Sequence, residues 1–207
     1  MSSEQDTIVQ QAVEHLICPS EGSIRIATKA DAESLFLLIN KAFFQILRRY
    51  KREAFQNRME TVDEVHKLME KGIFLILTAT DHEQSIILND GCFIVACIFM
   101  NHAAFGELPV EIVDAKLSLK INLLAVHPGM VRRGIGQYMM QAVESMAKIF
   151  RYTHVFLPVV SVNKHLVHMY TKWGFKIIDT KTLADCGIDA EKFSVPCHMI
   201  MMEKELL

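Results

Sequence analysis

The sequence is short of the residues that mark several protein classes. Only 5 of its 207 residues are cysteine, an odd number, and no two of them form a C-x-x-C pair. This pattern argues against a disulfide framework and against a zinc site built on cysteine, so no metal is expected. Unpaired thiols are typical of a reducing compartment, and we therefore expect a cytoplasmic protein.

Long apolar segments are also missing. The longest run of apolar residues is 92–100, whereas a helix needs about 20 such residues to cross a bilayer. The first residues, MSSEQDTIVQQAVEHL, contain no basic stretch followed by an apolar run, and they are not rich in arginine. We expect neither a membrane span nor a secretory or mitochondrial leader.

A third absence is an excess of one charge. The 22 basic and 24 acidic residues give a formal net charge of −2, without the strongly basic footprint of a dedicated nucleic-acid binder. The hydrophobic share of 51% is ordinary for a globular protein, and no repeat or Pro/Gly-rich linker divides the chain. We expect an N-terminal extension over 1–22 and a single domain over 23–207.

What is present is a succession of strand and helix patterns in the order βααβββαβαββ, which predicts one α/β domain. The predicted strands are 24–27, 73–79, 92–100, 117–126, 155–160, 176–179 and 197–202. The predicted helices are 35–47, 62–70, 135–150 and 163–172. Thr28 and Asp31 predict a capping box before the first helix, and Gly72 predicts the end of the second. Asp90-Gly91 predicts a turn, and 101–116 and 181–193 are expected to be loops.

The predicted strand 117–126 alternates apolar and polar residues. Its apolar positions are expected to share one face: Leu117, Leu119, Ile121, Leu123 and Ala125. Its polar positions are expected to share the other face: Ser118, Lys120 and Asn122. The unbroken alternation predicts a strand with one apolar side.

This strand leads through Arg132-Arg133-Gly134-Ile135-Gly136 directly into a helix. A helix N-terminus exposes unpaired backbone N–H groups, and glycine lets a phosphate approach them, so the segment predicts a diphosphate site. The alternative is that both glycines only permit a tight join between strand and helix. The P-loop pattern is absent, and the dinucleotide pattern G-x-G-x-x-G would need a third glycine where the chain has Met139.

Two linked motifs resemble those of the GNAT superfamily of acyl-CoA-dependent N-acyltransferases. The first is the segment L-A-V-x-P at 124–128 followed by Q/R-x-x-G-x-G/A, which 131–136 matches except that Val131 replaces Gln or Arg. The second is an Asn, a Tyr seven residues on, a basic residue and Gly-Phe, found at Asn163, Tyr170, Lys172 and 174–175. The resemblance covers roughly 24–204.

The resemblance implies a mixed sheet of about seven strands, flanked by about four helices and splayed between the strands 117–126 and 155–160. It implies that acetyl-CoA binds in this splay, with pantetheine against the strand backbone and pyrophosphate on the amides of 131–137. The implied cofactor-binding residues are Leu124, Ala125, Val126, Val131, Arg132, Arg133, Gly134, Ile135, Gly136, Gln137 and Asn163. Tyr170 occupies the position of the family's general acid, which protonates the leaving thiolate. The alternatives are a buried core tyrosine for Tyr170 and a plain helix N-cap for Asn163.

The general base is left open. Some relatives carry a Glu on the central strand where this chain has Lys120. Glu33, Glu111, His154 and a chain of water molecules are the alternatives, and none stands out from the sequence.

The acceptor site is equally open. Phe43, Lys120 and Asn122 are the candidate substrate-binding residues, with Phe44 and Phe55 as further candidates. The basic stretch from Arg48 to Arg58 favours an anionic substrate in one interpretation and forms a solvated helix face in the other.

These features predict an N-acetyltransferase that transfers acetyl from acetyl-CoA to an unidentified primary amine by direct attack. The alternatives are a catalytically weak or inactive acyl-CoA-binding module of the same fold, and an unrelated nucleotide-binding α/β protein. Dimers are common among proteins of this type, so a homodimer is one expected state.

Overall fold

The computed structural model describes residues 2–52, 57–81, 92–101 and 117–206. The helices in these ranges are α1 (Ser2–Val13), α2 (Ala32–Leu47), α3 (Val62–Met69), α4 (Ile135–Ile149) and α5 (Lys164–Lys172). The strands are β1 (Ile24–Ile26), β2 (Gly72–Thr78), β3 (Ile94–Asn101), β4 (Ser118–Val126), β5 (His154–Val160), β6 (Lys176–Lys181) and β7 (Met199–Glu205). The predicted Asp90-Gly91 turn, the 102–116 part of the predicted loop, Phe55 and Glu111 lie outside the described residues.

The strands form one seven-stranded sheet in the order β1-β2-β3-β4-β5-β7-β6. Every neighbouring pair is antiparallel except β4 and β5, which are parallel. The predicted mixed α/β sheet is confirmed. The described helices number five rather than about four because residues 2–13 also form a helix.

Helices cover both faces of the sheet. On one face, α1 and α4 share a core with β2 to β5, to which α1 contributes Val9 and Ala12. On the other face, α2 and α3 pack over β2, β3 and the end of β4, and the rings of Phe74 and Phe99 lie 4.8 Å apart between them. None of the described helices is long and apolar enough to span a membrane.

The predicted capping box before α2 is present. The Asp31 carboxylate accepts the N–H of Thr28 at 2.7 Å and also pairs with the Arg25 guanidinium at 2.7 Å. The pairing with Arg25 and, to a smaller extent, the hydrogen bond from Thr28 lower the pKa of Asp31. The start of α2 is therefore attached to β1.

The predicted alternation of β4 is wrong beyond Ile121, because the strand contains a β-bulge. Cys97 pairs with Ala125 and Phe99 with Asn122, so β4 carries one residue more than β3 between these pairs. The extra residue falls where Leu123 adopts a positive φ of 52°. Because one added residue reverses the faces that follow, Leu123 and Ala125 pack toward α2, whereas Leu119 and Ile121 pack toward α4.

The prediction that Gly72 ends the second helix is also wrong. The helix ends at Met69, and Gly72 is the first residue of β2, paired with Asn101. A Cβ at Gly72 would lie 2.1 Å from the carbonyl oxygen of Met100. Close approach of two strands therefore accounts for this glycine, because the backbone there has no positive φ that would require one.

Candidate functional site

The central feature of the site is the opening between β4 and β5. Their parallel pairing runs from Ser118–His154 to Lys120–Phe156, and no further ladder pair joins the two strands in the described ranges. Beyond Lys120, the bulge at Leu123 increases the local bend of β4. A cavity of about 1160 Å³ occupies the gap, and residues 120–126 and 156–160 line it. The splay expected at this point is confirmed.

At one end of the cavity, the turn before α4 presents unpaired backbone amides. Arg132 and Gly134 have positive φ angles of 64° and 83°. The first hydrogen bond of α4 is the one that the Tyr138 N–H donates to the Gly134 carbonyl at 3.0 Å. In the described part of the chain, the N–H groups of 131–137 have no acceptor. The His127 Nδ1 accepts the Gly129 N–H, which fixes the preceding turn. The geometry suits an anion with several oxygens.

Gly136 lies where this turn meets the cavity. A Cβ built on it would be 3.7 Å from both Trp173 and Val126, which is ordinary contact, and Gly136 itself lines the cavity. A Cβ on Gly134 would meet nothing within 4 Å, so its positive φ is what favours glycine at that position.

The structure divides the predicted cofactor-binding residues into three groups. Those on the cavity wall are Leu124, Ala125, Val126, Val131, Gly136 and Asn163. Those exposed on the turn, outside the cavity wall, are Arg132, Arg133, Gly134 and Gln137. The side chain of Ile135 is buried in the core, so only its backbone is available to a ligand.

Tyr170 lies on the cavity wall and is 8% exposed. Its ring packs edge-on against Trp173 and Phe175, with centroids 5.6 and 5.7 Å away. Its hydroxyl makes no hydrogen bond to any described residue. Burial raises the pKa of the Tyr170 phenol, so the hydroxyl stays protonated at neutral pH. The ring is thus a core residue, as the alternative interpretation holds, while it also borders the cavity.

Asn163 precedes α5, but its side chain makes no capping hydrogen bond. Its position at the N-cap agrees with the alternative interpretation, because its carbonyl accepts the Leu166 N–H at 2.9 Å. The Asn163 side chain lies near Tyr50, where it partly offsets the rise that burial causes in the Tyr50 pKa. The Tyr50 ring stacks on Phe193 at 5.6 Å, and its carbonyl accepts the Ser194 N–H at 2.8 Å. Sequence reasoning missed Tyr50 because these partners are distant along the chain and no local pattern marks them.

The opposite end of the cavity carries the candidate acceptor residues. Phe43, Lys120 and Asn122 all line it. The basic stretch divides in two. Its exposed members are Arg48, Arg49 and Arg52, and its members on the cavity wall are Lys51 and Arg58. Phe44 is not on the wall, because it is 39% exposed beneath the Arg48 guanidinium.

None of the described candidate bases lies on the cavity. Glu33 is exposed on α2, and His154 lies at the closed end of the β4–β5 pair with its Nδ1 2.8 Å from the Thr153 hydroxyl. A carboxylate that sequence reasoning missed, Glu203, is 9% exposed and accepts the Ser118 hydroxyl at 3.2 Å, but it does not line the cavity either. The carboxylates on the wall are Glu60, Glu64, Asp185 and Asp189.

The sequence model of the acetyltransferase (GNAT) family matches residues 40–175, which include both motifs and the whole β4–β5 opening. The chain belongs to the GNAT acetyltransferase family. The resemblance seen in the motifs is therefore confirmed. No protein of curated function matches the sequence closely enough to count as a relative.

Solved structures share this GNAT fold at low sequence identity. The smu.2055 protein of Streptococcus mutans is 18% identical, with a TM-score of 0.63 over 89% of this chain and 99% of that one. The yncA protein of Salmonella typhimurium, solved with its cofactor acetyl-CoA, is 14% identical, with a TM-score of 0.55 over 89% and 94%. A GNAT acetyltransferase of Elizabethkingia anophelis with acetyl-CoA bound is 16% identical, with a TM-score of 0.50 over 70% and 84%.

Proposed function

We propose that this chain is an N-acetyltransferase that moves an acetyl group from acetyl-CoA to a primary amine within a ternary complex. The observation that carries the proposal is that one cavity joins the open β4–β5 edge, the turn with unpaired amides before α4, and the buried Tyr170. Membership of the GNAT family supports acetyl transfer. Two of the similar structures hold acetyl-CoA, which supports the choice of donor.

The residues present fit the two polar parts of this donor. The N–H groups of 131–137 have no acceptor among the described residues and can bind a diphosphate, while the exposed Arg132 and Arg133 add positive charge. The edge of β4 beyond Lys120 has no ladder partner on β5, so its backbone can pair with the amides of a pantetheine arm. Asn163 lies on the same wall and is available to that arm.

In the proposed reaction, the amine nitrogen forms a bond to the thioester carbonyl carbon, and the carbon–sulfur bond breaks. A backbone amide near Val126 polarises the carbonyl oxygen. Tyr170 gives its hydroxyl proton to the departing sulfur and regains a proton from solvent. Neither Glu33 nor His154 lines the cavity, so of the bases considered from the sequence and described by the structure, a chain of water molecules is the one that takes the proton lost by the amine in this proposal.

A second candidate function is acyl-CoA binding without transfer. Two observations favour it: β4 carries Lys120 where some relatives carry a carboxylate, and Val131 replaces the usual Gln or Arg and is 50% exposed. The two candidates share the cofactor site and differ in whether any amine is acetylated. Release of free thiol in the presence of amines distinguishes them.

Titration calorimetry of acetyl-CoA into the purified protein tests the donor site. We expect binding with a Kd on the order of 1–100 μM. Gly136→Glu should abolish binding, because its carboxylate would extend into the cavity beside the unpaired amides and repel a diphosphate.

The matched control is Gln141→Glu, which adds the same charge to the exposed face of α4, away from the cavity. This variant should bind like the wild type. Absence of binding to the wild type, or equal affinity in Gly136→Glu, would overturn the assignment of the donor site.

A further inference from the structure

The backbone at Arg58 is attached to α2, at the end of the cavity where the candidate acceptor residues lie. The Oδ1 of Asn40, on α2, accepts the N–H groups of both Arg58 and Met59 at 2.9 Å, and its Nδ2 donates to the Met59 carbonyl at 2.9 Å. These three bonds attach the segment before α3 to α2. The Arg58 side chain is partly buried and lines the cavity.

The guanidinium of Arg58 has no direct ion-pair partner in the described ranges. It forms neither an ion pair nor a side-chain hydrogen bond with any described residue. The nearby Glu64 carboxylate accepts the Glu60 N–H at 3.0 Å, so part of its hydrogen-bonding capacity is used at the start of α3. Burial lowers the pKa of Arg58, and the nearby Glu64 charge only partly offsets that effect. The positive charge is therefore held in an unfavourable setting.

Other cations surround the same region. The pKa of Lys51 is lowered by burial and then by the charges of Arg58 and Lys192. Two of the wall carboxylates are committed elsewhere, because Asp185 accepts from Thr182 and Asp189 accepts from the backbone of Glu191.

A smaller cavity of about 400 Å³ adjoins this end of the site. The residues that line both cavities are Arg58, Glu64, Lys120, Asn122 and Leu123. The smaller cavity is also bordered by Lys67 and Lys71, so its described charged residues are four cations and Glu64. The junction of the two cavities is thus a pocket of positive charge, at the opposite end from the unpaired amides of α4.

We propose that Arg58, assisted by Lys120, binds an anionic group of the acceptor, so that the acceptor is an amine that also carries a carboxylate or a phosphate. The inference that the bound molecule is an acetyl acceptor rests on the proposed acetyl transfer. The anion site itself is argued from the cavity and its cations alone. Arg58 supplies a planar pair of donors that matches either anion, and Lys120 adds a flexible charge at the same junction. The apolar Phe43 on the same wall would contact the carbon skeleton of the amine.

Calorimetry on the CoA-saturated protein tests the anion site without requiring turnover. The probes are two matched pairs: phenylalanine with phenylalaninamide, and 2-aminoethyl phosphate with ethanolamine. We expect the anionic member of at least one pair to bind about tenfold or more tightly than its neutral partner, and the pair that shows this identifies the anion. Arg58→Gln should remove the difference, and Arg58→Lys should retain part of it.

Arg49→Gln is the matched control, because Arg49 is exposed and not on the cavity wall. It should keep the preference, and all three variants should keep the wild-type affinity for acetyl-CoA. Equal affinities within both pairs, no binding of any probe, or a preference that persists in Arg58→Gln overturns the anion site. Thiol release with ethanolamine but with none of the anionic probes would support acetyl transfer and reject the anion site. An anion preference without thiol release from any amine would support the anion site and reject acetyl transfer.

Discussion

Tyr170 is both a packed core residue and the proposed proton donor. Its ring belongs to the core, in contact with Trp173 and Phe175, while the residue also lines the cavity. Packing holds the ring in place, so the hydroxyl is positioned before any ligand binds. Asn163 is the N-cap residue of the same helix and lies near the Tyr50 side chain. The two motif residues therefore have different neighbours.

Replacing Tyr170 with Phe tests its role as the proton donor. With an amine that the wild type acetylates, we expect kcat/KM to fall by roughly 10²–10⁴-fold while the calorimetric Kd for acetyl-CoA is unchanged, because the ring remains and only the proton is lost. Tyr152→Phe is the matched control, since Tyr152 is also buried with its pKa raised by burial but lies away from the cavity. Full activity of Tyr170→Phe would reject the proposed acid.

The pH profile of the wild type adds a check on the same residue. A proton donor acts only below its pKa, and burial raises the pKa of Tyr170 above its ordinary value of 10.0. Activity should therefore rise with pH as the amine loses its proton, and it should show no decline from Tyr170 ionisation below pH 10.0. A decline near neutral pH that Tyr170→Phe abolishes would contradict this assignment.

At the scale of the element, β4 shows how one inserted residue changes a strand. The bulge at Leu123 places Asn122, Leu123 and Ala125 toward α2, and it leaves Leu124 and Val126 toward α4. The alternation in the sequence is genuine up to Ile121. It misleads beyond that point because a bulge occupies two residues opposite one, and the residue types at 122–124 do not reveal it.

The close pairing of β2 with β3 depends on Gly72, which sequence analysis wrongly predicted to end a helix. Gly72→Ala should destabilise the protein by about 2 kcal/mol or more, because the added Cβ would meet the Met100 carbonyl and push two paired strands apart. Urea unfolding followed by circular dichroism measures the loss.

Gly187→Ala provides the comparison for this substitution. It adds a Cβ in open space, at a φ of 66°, and should cost about 1–2 kcal/mol from backbone strain alone. A smaller loss for Gly72→Ala than for Gly187→Ala would show that β2 and β3 separate more easily than their geometry indicates.

At the scale of the whole molecule, the N-terminal helix is joined to the rest of the chain by its core residues. Val9 and Ala12 are 0% and 1% exposed, in the same cluster as the buried stripe of α4, which includes Met139 and Val143. Sequence analysis treated residues 1–22 only as an N-terminal extension. The contacts motivate a different proposal, that α1 stabilises the helix whose first turn forms the proposed donor site.

Removing residues 1–22 tests that proposal. We expect the shortened chain to lose about 2–4 kcal/mol of unfolding free energy, since the apolar surface of α4 and β1 would be exposed to water. Both chains should unfold in a single transition if 23–207 is one domain. Val9→Ala should lose part of the same energy, whereas Gln11→Ala on the exposed face of α1 should lose none. An unchanged melting temperature after truncation would show that the helix is dispensable.

The sequence by itself determined the features that depend on neighbouring residues. The periodicity of α4, the capping box before α2, and the strand, glycine turn and helix around Gly134 were all predictable, because each is set by residues within a few positions of one another. The two GNAT motifs added the splayed sheet and the family. Tertiary structure alone decided the rest: the register of β4 at Leu123, the close approach at Gly72, the contact of Tyr50 with Asn163, and the separation of Arg58 from its exposed basic neighbours. Each of these features depends on which distant segments of the chain meet and how closely they approach. Such contacts produce no pattern among neighbouring residues, so the local sequence does not predict them.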